Sequence, residues 1–195
     1  MLYKIAHIIR DKMGWLWNVI ERLNSILFSL RYGKKLEEFV FKTIPEGYVL
    51  LPLNAVETEE IVSFFKMQPI EAYSYFKPHA FDYNNIKRIQ GNKSFLAYVL
   101  EDKANGNIAG YCFNRSFFWG KGFRGRIVDI NYRGRDLGTA MNKILNDVGF
   151  GIGLRLFETV SKDNIASYRS ALSASNVRVV KEMPNNVLYL EILQQ

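Results

Sequence analysis

A single α/β domain behind an N-terminal amphipathic helix is what this sequence predicts. Strand-like and helix-like segments alternate from residue 36 to the end with no linker, low-complexity tract or internal repeat. The 195 residues are 48% hydrophobic and include 14 Phe, 11 Tyr and 3 Trp, enough large side chains for one core. A charged fraction of 23% is ordinary for a globular chain and excludes a disordered or fibrous one. The expected organisation is a helical extension over residues 1–35 and a domain over residues 36–195.

In the extension, Ile5, Ile9, Leu16, Ile20, Leu23, Leu27 and Leu30 recur at spacings of three, four or seven, the stripe of an amphipathic helix. Lys4, Arg10, Lys12 and Arg22 interleave with it, Arg31, Lys34 and Lys35 follow, and His7 reads as structural. Two roles fit residues 1–30. The helix packs on its own domain or on a second copy as a homodimer, or it lies on a membrane surface through Trp15 and Trp17. Asp11 and Glu21 weigh against the second role. Arg10, Asp11 and Lys12 break the apolar run that a secretory signal needs, and no segment has the roughly eighteen apolar residues of a membrane span. The expected location is cytoplasmic, or peripheral to the inner face of the membrane.

Beyond Gly33 the pattern turns extended. Phe39–Phe41 and Tyr48–Leu51 predict short strands around the turn Pro45-Glu46-Gly47. Thr58-Glu59-Glu60 predicts the capped start of a helix through Ile61, Phe64 and Phe65 that stops before Pro69. Glu71–Tyr83, aromatic and broken by Pro78, predicts a loop or irregular helix, and a short helix through Ile86 and Ile89 ends at Gly91. Phe95–Leu100 and Ile108–Phe113 flank Asn105-Gly106, the dipeptide of a tight hairpin. A third strand, Arg126–Ile130, follows a glycine-rich connection from Gly120 to Gly125. A helix beginning near Gly134 carries Leu137, Ala140, Met141, Ile144 and Leu145 on one face. Leu154–Val160 predicts a strand, Asn164–Ser173 a helix and Val187–Ile192 a last strand.

Composition narrows the chemistry. Cys112 is the single cysteine, so no internal disulfide forms and a secreted disulfide scaffold is excluded. One Cys and two His leave no Cys₄ or Cys₂His₂ zinc site, and no metal is expected. With 26 Lys and Arg against 19 Asp and Glu, a formal charge of +7 favours anionic partners: nucleotides, coenzyme phosphates, nucleic acid or an acidic lipid surface.

The chemistry concentrates in Val128-Asp129-Ile130-Asn131-Tyr132-Arg133-Gly134-Arg135-Asp136-Leu137-Gly138-Thr139-Ala140. A strand ends, the chain turns through glycines and arginines, and an apolar-striped helix starts. Main-chain N–H groups at such a turn lack intrahelical partners and share the positive end of the helix dipole, so they bind phosphate. Gly134 and Gly138 permit close backbone approach, and Arg133 and Arg135 add charge. The plainer alternative is a turn that needs glycine for geometry alone. No Walker A string occurs, and the turn follows an antiparallel hairpin where a Rossmann fingerprint would follow the first strand of a βαβ unit.

The run Tyr132-Arg133-Gly134-Arg135-Asp136-Leu137-Gly138 resembles the acyl-CoA-binding motif of the GNAT superfamily, the acetyl-CoA-dependent N-acetyltransferases. In that motif a Gln or Arg precedes two spaced glycines; Arg133 matches its first member and Gly138 its last, while Asp136 stands where the middle glycine is usual. The likeness spans about Phe95 to Ile192 in the family's order of elements, and Asn164-Ile165-Ala166-Ser167 matches the opening of the helix after the next strand. The resemblance implies a mixed, mostly antiparallel central sheet flanked by helices, with acetyl-CoA as co-substrate. It implies that the backbone of Val128 and Ile130 pairs with the pantetheine arm. Amides from Arg133 through Gly134, Arg135, Asp136, Leu137 and Gly138 to Thr139 would hold the diphosphate, and Asn164 would contact the coenzyme.

It also implies direct attack of an amine on the thioester, with a base, main-chain polarisation near Val128–Ile130 and an acid for the thiolate. His79, in a loop with aromatic faces, titrates near neutrality and is the leading base; Asp129 and Glu158 compete. Each has a plainer reading, as a structural histidine or as a solvated or paired acid. The family's tyrosine acid falls on Ala171, and Tyr168, one turn earlier, is either a substitute or a core residue. Cys112 lies in an apolar strand and reads as core. The basic run Lys121-Gly122-Phe123-Arg124-Gly125-Arg126 suits coenzyme or an anionic substrate, and without a recognition signature nucleic acid is not the expected partner. The function expected is acetyl transfer to a small amine-bearing substrate, with a nucleotide-linked amino sugar, a protein N-terminus or an aminoglycoside as acceptors. A catalytically idle GNAT-like binding protein, docked to a partner or membrane by residues 1–30, is the alternative.

Overall fold

The computed structural model describes residues 14–194; Ile5, His7, Ile9 and the charged residues Lys4, Arg10, Asp11 and Lys12 lie outside them. Helix α1 (Gly14–Glu37) continues past Gly33, where the sequence predicts extended chain. Tyr32 and Leu36 hold its last turns on the core, and Lys35 Nζ donates to the Ile152 carbonyl at 3.4 Å. Its inner face buries Ser25, Phe28 and Tyr32. Glu21 pairs with Arg88 at 2.6 Å and with Arg115, and Asn24 donates to the Ser94 hydroxyl and Ser116 carbonyl.

The strands are β1 (Tyr48–Pro52), β2 (Phe95–Asp102), β3 (Ile108–Phe117), β4 (Lys121–Val128), β5 (Arg155–Ser161), β6 (Asn176–Met183) and β7 (Val187–Leu193). They form one sheet in the order β1-β2-β3-β4-β5-β7-β6, antiparallel at every step except β4 beside β5. Helices α2 (Thr58–Met67) and α3 (Tyr83–Gln90) cover one face, α1 and α4 (Leu137–Gly151) the other, and α5 (Ile165–Ala174) packs beside α4. This is the mixed α/β architecture the sequence predicts.

Strand β2 reads as a continuous apolar run because both of its faces are covered. Ala97 and Val99 meet α2 and α3 together with Tyr111 and Phe113 of β3, while Leu96, Tyr98 and Leu100 meet the α1 and α4 side with Cys112. Helix α4 buries Leu137, Met141, Ile144, Leu145 and Val148, the period-3.6 stripe of its sequence.

Several expectations are corrected. Phe39–Phe41 form no strand; their rings pack edge-on, 5.1 Å apart, with Phe41 against Tyr98, as a cover over the core. Thr58 does not cap α2, since its hydroxyl donates to Gln90 Oε1 at 2.7 Å. The Asn105-Gly106 turn is wider than two residues: only Gly106 is left-handed, at φ 72°, which excludes the turn with two positive φ values. The connection expected at Gly120–Gly125 is mostly strand, because β4 begins at Lys121 and pairs with β3 over its full length. A Cβ on Gly125 would lie 2.5 Å from the Phe113 ring, so glycine there permits the ring's close approach to β4. Ile130 falls in a 3₁₀ turn (Ile130–Tyr132), exposed and outside the strand. The edge strand β6 goes unpredicted; a turn with Asn185 and Asn186 both left-handed joins it to β7.

Candidate active site at the splayed strands

Strands β4 and β5 pair over only three residues, Lys121–Phe123 against Arg155–Phe157. Beyond that they separate, and from Arg124 to Val128 strand β4 keeps its ladder with β3 alone. Its other edge presents main-chain groups with no strand partner, an arrangement suited to an extended ligand. A cleft of about 900 Å³ opens along this edge. Arg133, Gly134, Asp136, Gly138, Thr139 and Asn164 line it on the α4 and α5 side, and Tyr75, Phe76, Lys77, Pro78 and Phe113 on the α2 side.

The turn from β4 into α4 is built by two left-handed residues, Gly134 at φ 77° and Asp136 at φ 55°, ψ 13°. Asp and Asn tolerate this region better than other side chains, which explains how aspartate fits a glycine position. Asp136 makes no side-chain capping bond, so its carboxylate stands uncommitted in the cleft wall. The first intrahelical acceptor of α4 serves Ala140 N–H, from the Asp136 carbonyl at 3.0 Å, leaving the N–H groups of Leu137, Gly138 and Thr139 free of helical partners. Of the two arginines, Arg133 lines the cleft, whereas Arg135 stacks over the Tyr132 ring at 4.8 Å and does not. Asn164 caps α5, its Oδ1 accepting from Ser167 N–H at 3.1 Å, and also lines the cleft.

The cleft wall holds a charge cluster that sequence reasoning only half reached. Glu158 Oε2 accepts from Arg124 Nε at 2.6 Å and lies 3.6 Å from Arg126 Nη1; the three side chains are 3%, 0% and 8% exposed. Arg124 Nη1 donates to Asn146 Oδ1 at 2.5 Å, and Arg126 Nη2 to the Ser167 carbonyl at 2.9 Å. Burial lowers the Arg126 pKa to about 10, with Glu158 opposing, so the guanidinium stays charged at neutral pH. Two cations therefore face one carboxylate. Arg124 Nη2 and Glu158 Oε1 have no hydrogen-bond partner among the described residues. The signal was the spacing Arg124-x-Arg126, one face of a strand, hidden while that stretch reads as a connection.

Three expected catalytic residues are not brought to the cleft. His79 sits among Phe65, Phe81, Phe95, Tyr111 and Phe113; its Nδ1 donates to the Ala80 carbonyl at 2.8 Å and its Nε2 accepts from the Tyr111 hydroxyl at 3.0 Å. Burial lowers its pKa to about 4, and the lone pair a base needs is occupied. Asp129 accepts from Gln68 Nε2 at 2.6 Å and from Asn131 N–H at 2.8 Å, fixing the 3₁₀ turn. Tyr168 packs on the core, and Ala171 is fully buried on the inner face of α5. Val128, Leu137, Thr139 and Asn164 do line the cleft. Among the described residues no cluster of three or more His, Cys, Asp or Glu could hold a metal.

No protein-family model matches the sequence, and no curated protein does. Solved structures do match. The GNAT domain of S. lividans PAT superposes with a TM-score of 0.63 at 14% identity, over 73% of this chain and 88% of that one. The Campylobacter jejuni N-acetyltransferase PseH superposes with a TM-score of 0.57 at 14% identity, over 76% and 99%. Salmonella typhimurium yncA, solved with its cofactor acetyl-CoA, gives 0.55 at 16% identity, over 75% and 91%. At these identities the likeness is one of fold, and the fold is that of the GNAT superfamily.

Proposed function

We propose, from the GNAT fold as premise, that the chain is an acetyl-CoA-dependent N-acetyltransferase acting on the primary amine of a small acceptor, a nucleotide-linked amino sugar. The observation that supports this best is the wedge between β4 and β5, with a left-handed turn and three uncommitted helix amides following the end of β4 where the strands are apart. Those amides and Arg133 suit a diphosphate. The unpartnered edge of β4 suits the amide-bearing pantetheine arm.

Acetyl-CoA supplies the activated thioester. The chain's own groups do the rest. N–H groups on the free edge of β4 polarise the thioester carbonyl, acting where charge develops. Glu158, whose Oε1 makes no hydrogen bond, takes the amine proton, directly or through one water. Helix α5 offers no acid to the cleft, and a thiol is acidic enough to leave as thiolate. On the far side Tyr75, Phe76 and Phe113 offer faces for a nucleobase, and Lys77 a charge for its phosphates.

Thiol release with a panel of amino-sugar nucleotides tests the reading, which expects turnover requiring both substrates. A second reading, a catalytically idle GNAT-like binding protein, is favoured by one observation: His79 and Asp129 stand outside the cleft. Tight acetyl-CoA binding without turnover on any acceptor would select it.

A further inference from the structure

Helix α1 presents to solvent a continuous apolar arc that the acetyl-transfer reading leaves unused. Trp15, Val19, Leu23, Ile26 and Leu30 are 67%, 46%, 55%, 51% and 80% exposed, and Ile20 and Leu27 widen the arc at 41% and 43%. At 100° per residue these seven side chains span roughly 140° of the helix, far more than a domain helix leaves open when its opposite face is already docked. That opposite face is fixed by Phe28, Tyr32, the Glu21 ion pairs and the Asn24 hydrogen bonds, so the arc cannot turn inward.

A second element extends the same surface. The β3–β4 turn docks at the border of the arc, where Arg31 Nη1 donates to the Phe118 carbonyl at 3.0 Å and Phe118 N–H donates to Asn24 Oδ1 at 3.0 Å. Its tip exposes Phe118 and Trp119 at 36% and 53%. Two tryptophans thus mark the patch, at the first described turn of the helix and on the hairpin beside it.

Charge chooses the occupant. Two exposed cations, Arg22 and Arg31, border the arc; Lys34 pairs with Glu38 at 3.9 Å, Glu37 is an exposed acid at the last turn, and Glu21 is spent on Arg88 and Arg115. Two such faces brought together by a two-fold axis would join chains that each carry +7, so long-range repulsion opposes the pairing. An anionic lipid surface complements both features, accepting the apolar arc and the cationic rim together. Among the described residues no helix is long and apolar enough to cross a membrane. We propose that α1 and the Phe118–Trp119 tip form a monotopic docking surface for anionic bilayers, with α1 lying in the interfacial plane.

Flotation of the full chain with vesicles of phosphatidylcholine alone, or with about a third phosphatidylglycerol, tests this. The expected result is association with the anionic vesicles, a blue shift of tryptophan emission, and weakening as salt rises from about 0.05 to 0.5 M. Leu23→Glu with Leu27→Glu, both at exposed positions, should lower partitioning at least tenfold with the melting temperature retained. Arg22→Gln with Lys34→Gln should lower it about tenfold and flatten the salt dependence. Failure of the wild-type chain to float with anionic vesicles, or flotation of the double-Glu variant equal to wild type, would overturn the proposal. A dimer that the double-Glu change dissolves, with no flotation, would assign the face to a second copy.

Discussion

Replacing Asp136 by asparagine and, separately, by glycine divides what this residue does to the backbone from what its charge does to the ligand. Asn keeps the tolerance for φ 55° and removes the charge, whereas Gly removes the charge and relaxes the left-handed requirement. Stability should scarcely move, by about 0.5 kcal/mol either way. The relief that glycine brings is offset by its greater freedom in the unfolded chain, and the lost carboxylate at a helix N-terminus costs about 0.3–1 kcal/mol. Coenzyme affinity should move more. A carboxylate about 6 Å from each of two phosphate charges in near-aqueous surroundings contributes roughly 0.7 kcal/mol of repulsion per charge, hence about 1–2 kcal/mol in all. Both variants should therefore bind acetyl-CoA about 5- to 30-fold more tightly by calorimetry, with the gain shrinking at high salt. Unchanged or weaker binding in Asp136→Asn would refute the placement of diphosphate at this turn.

Gly134→Ala puts a Cβ at φ 77° with open space around it, so its cost is backbone strain of about 1–2 kcal/mol, seen as a melting temperature lower by roughly 2–8 °C. Glu158→Gln should cut kcat by about 10²–10⁴ with coenzyme affinity within threefold, while the unbalanced Arg124 lowers stability by up to about 3–5 kcal/mol; unaltered kcat would remove Glu158 as the base. His79 stays neutral in the fold, with a pKa near 4 against 6.5 unfolded, so the unfolded chain binds the extra proton. Stability is complete above about pH 6.5 and falls by roughly 3 kcal/mol as pH drops toward 4. Denaturant melts of His79→Phe should lose most of that dependence. A pH–rate profile of His79→Gln that keeps the wild-type shape would show that the imidazole is not the base, and loss of the acid limb in that variant would restore it.

The sheet and α4 were legible because their patterns carry over several residues: the β2–β3 hairpin, the α4 stripe and the glycine turn each follow from local chemistry. The wedge was not. Whether β4 leaves β5 after three residues depends on two strands separated by a whole helix, and no local period records it. Arg124 and Arg126 were obscured by Gly122 and Gly125, whose turn propensity is overridden by eight paired residues and the ring of Phe113. His79 was legible as an imidazole among aromatics, yet its partner Tyr111 lies 32 residues away, and that contact turns a neutral-range base into a buried acceptor. Asp136 is the converse, a departure in sequence that the backbone angle explains.

A crystal structure with bound acetyl-CoA decides the central matter. Diphosphate should contact the amides of residues 137–139, and the pantetheine arm should run along β4 from Val128 toward Arg124. Ligand bound elsewhere, or a wedge left vacant when the crystal is saturated with coenzyme, would contradict the account.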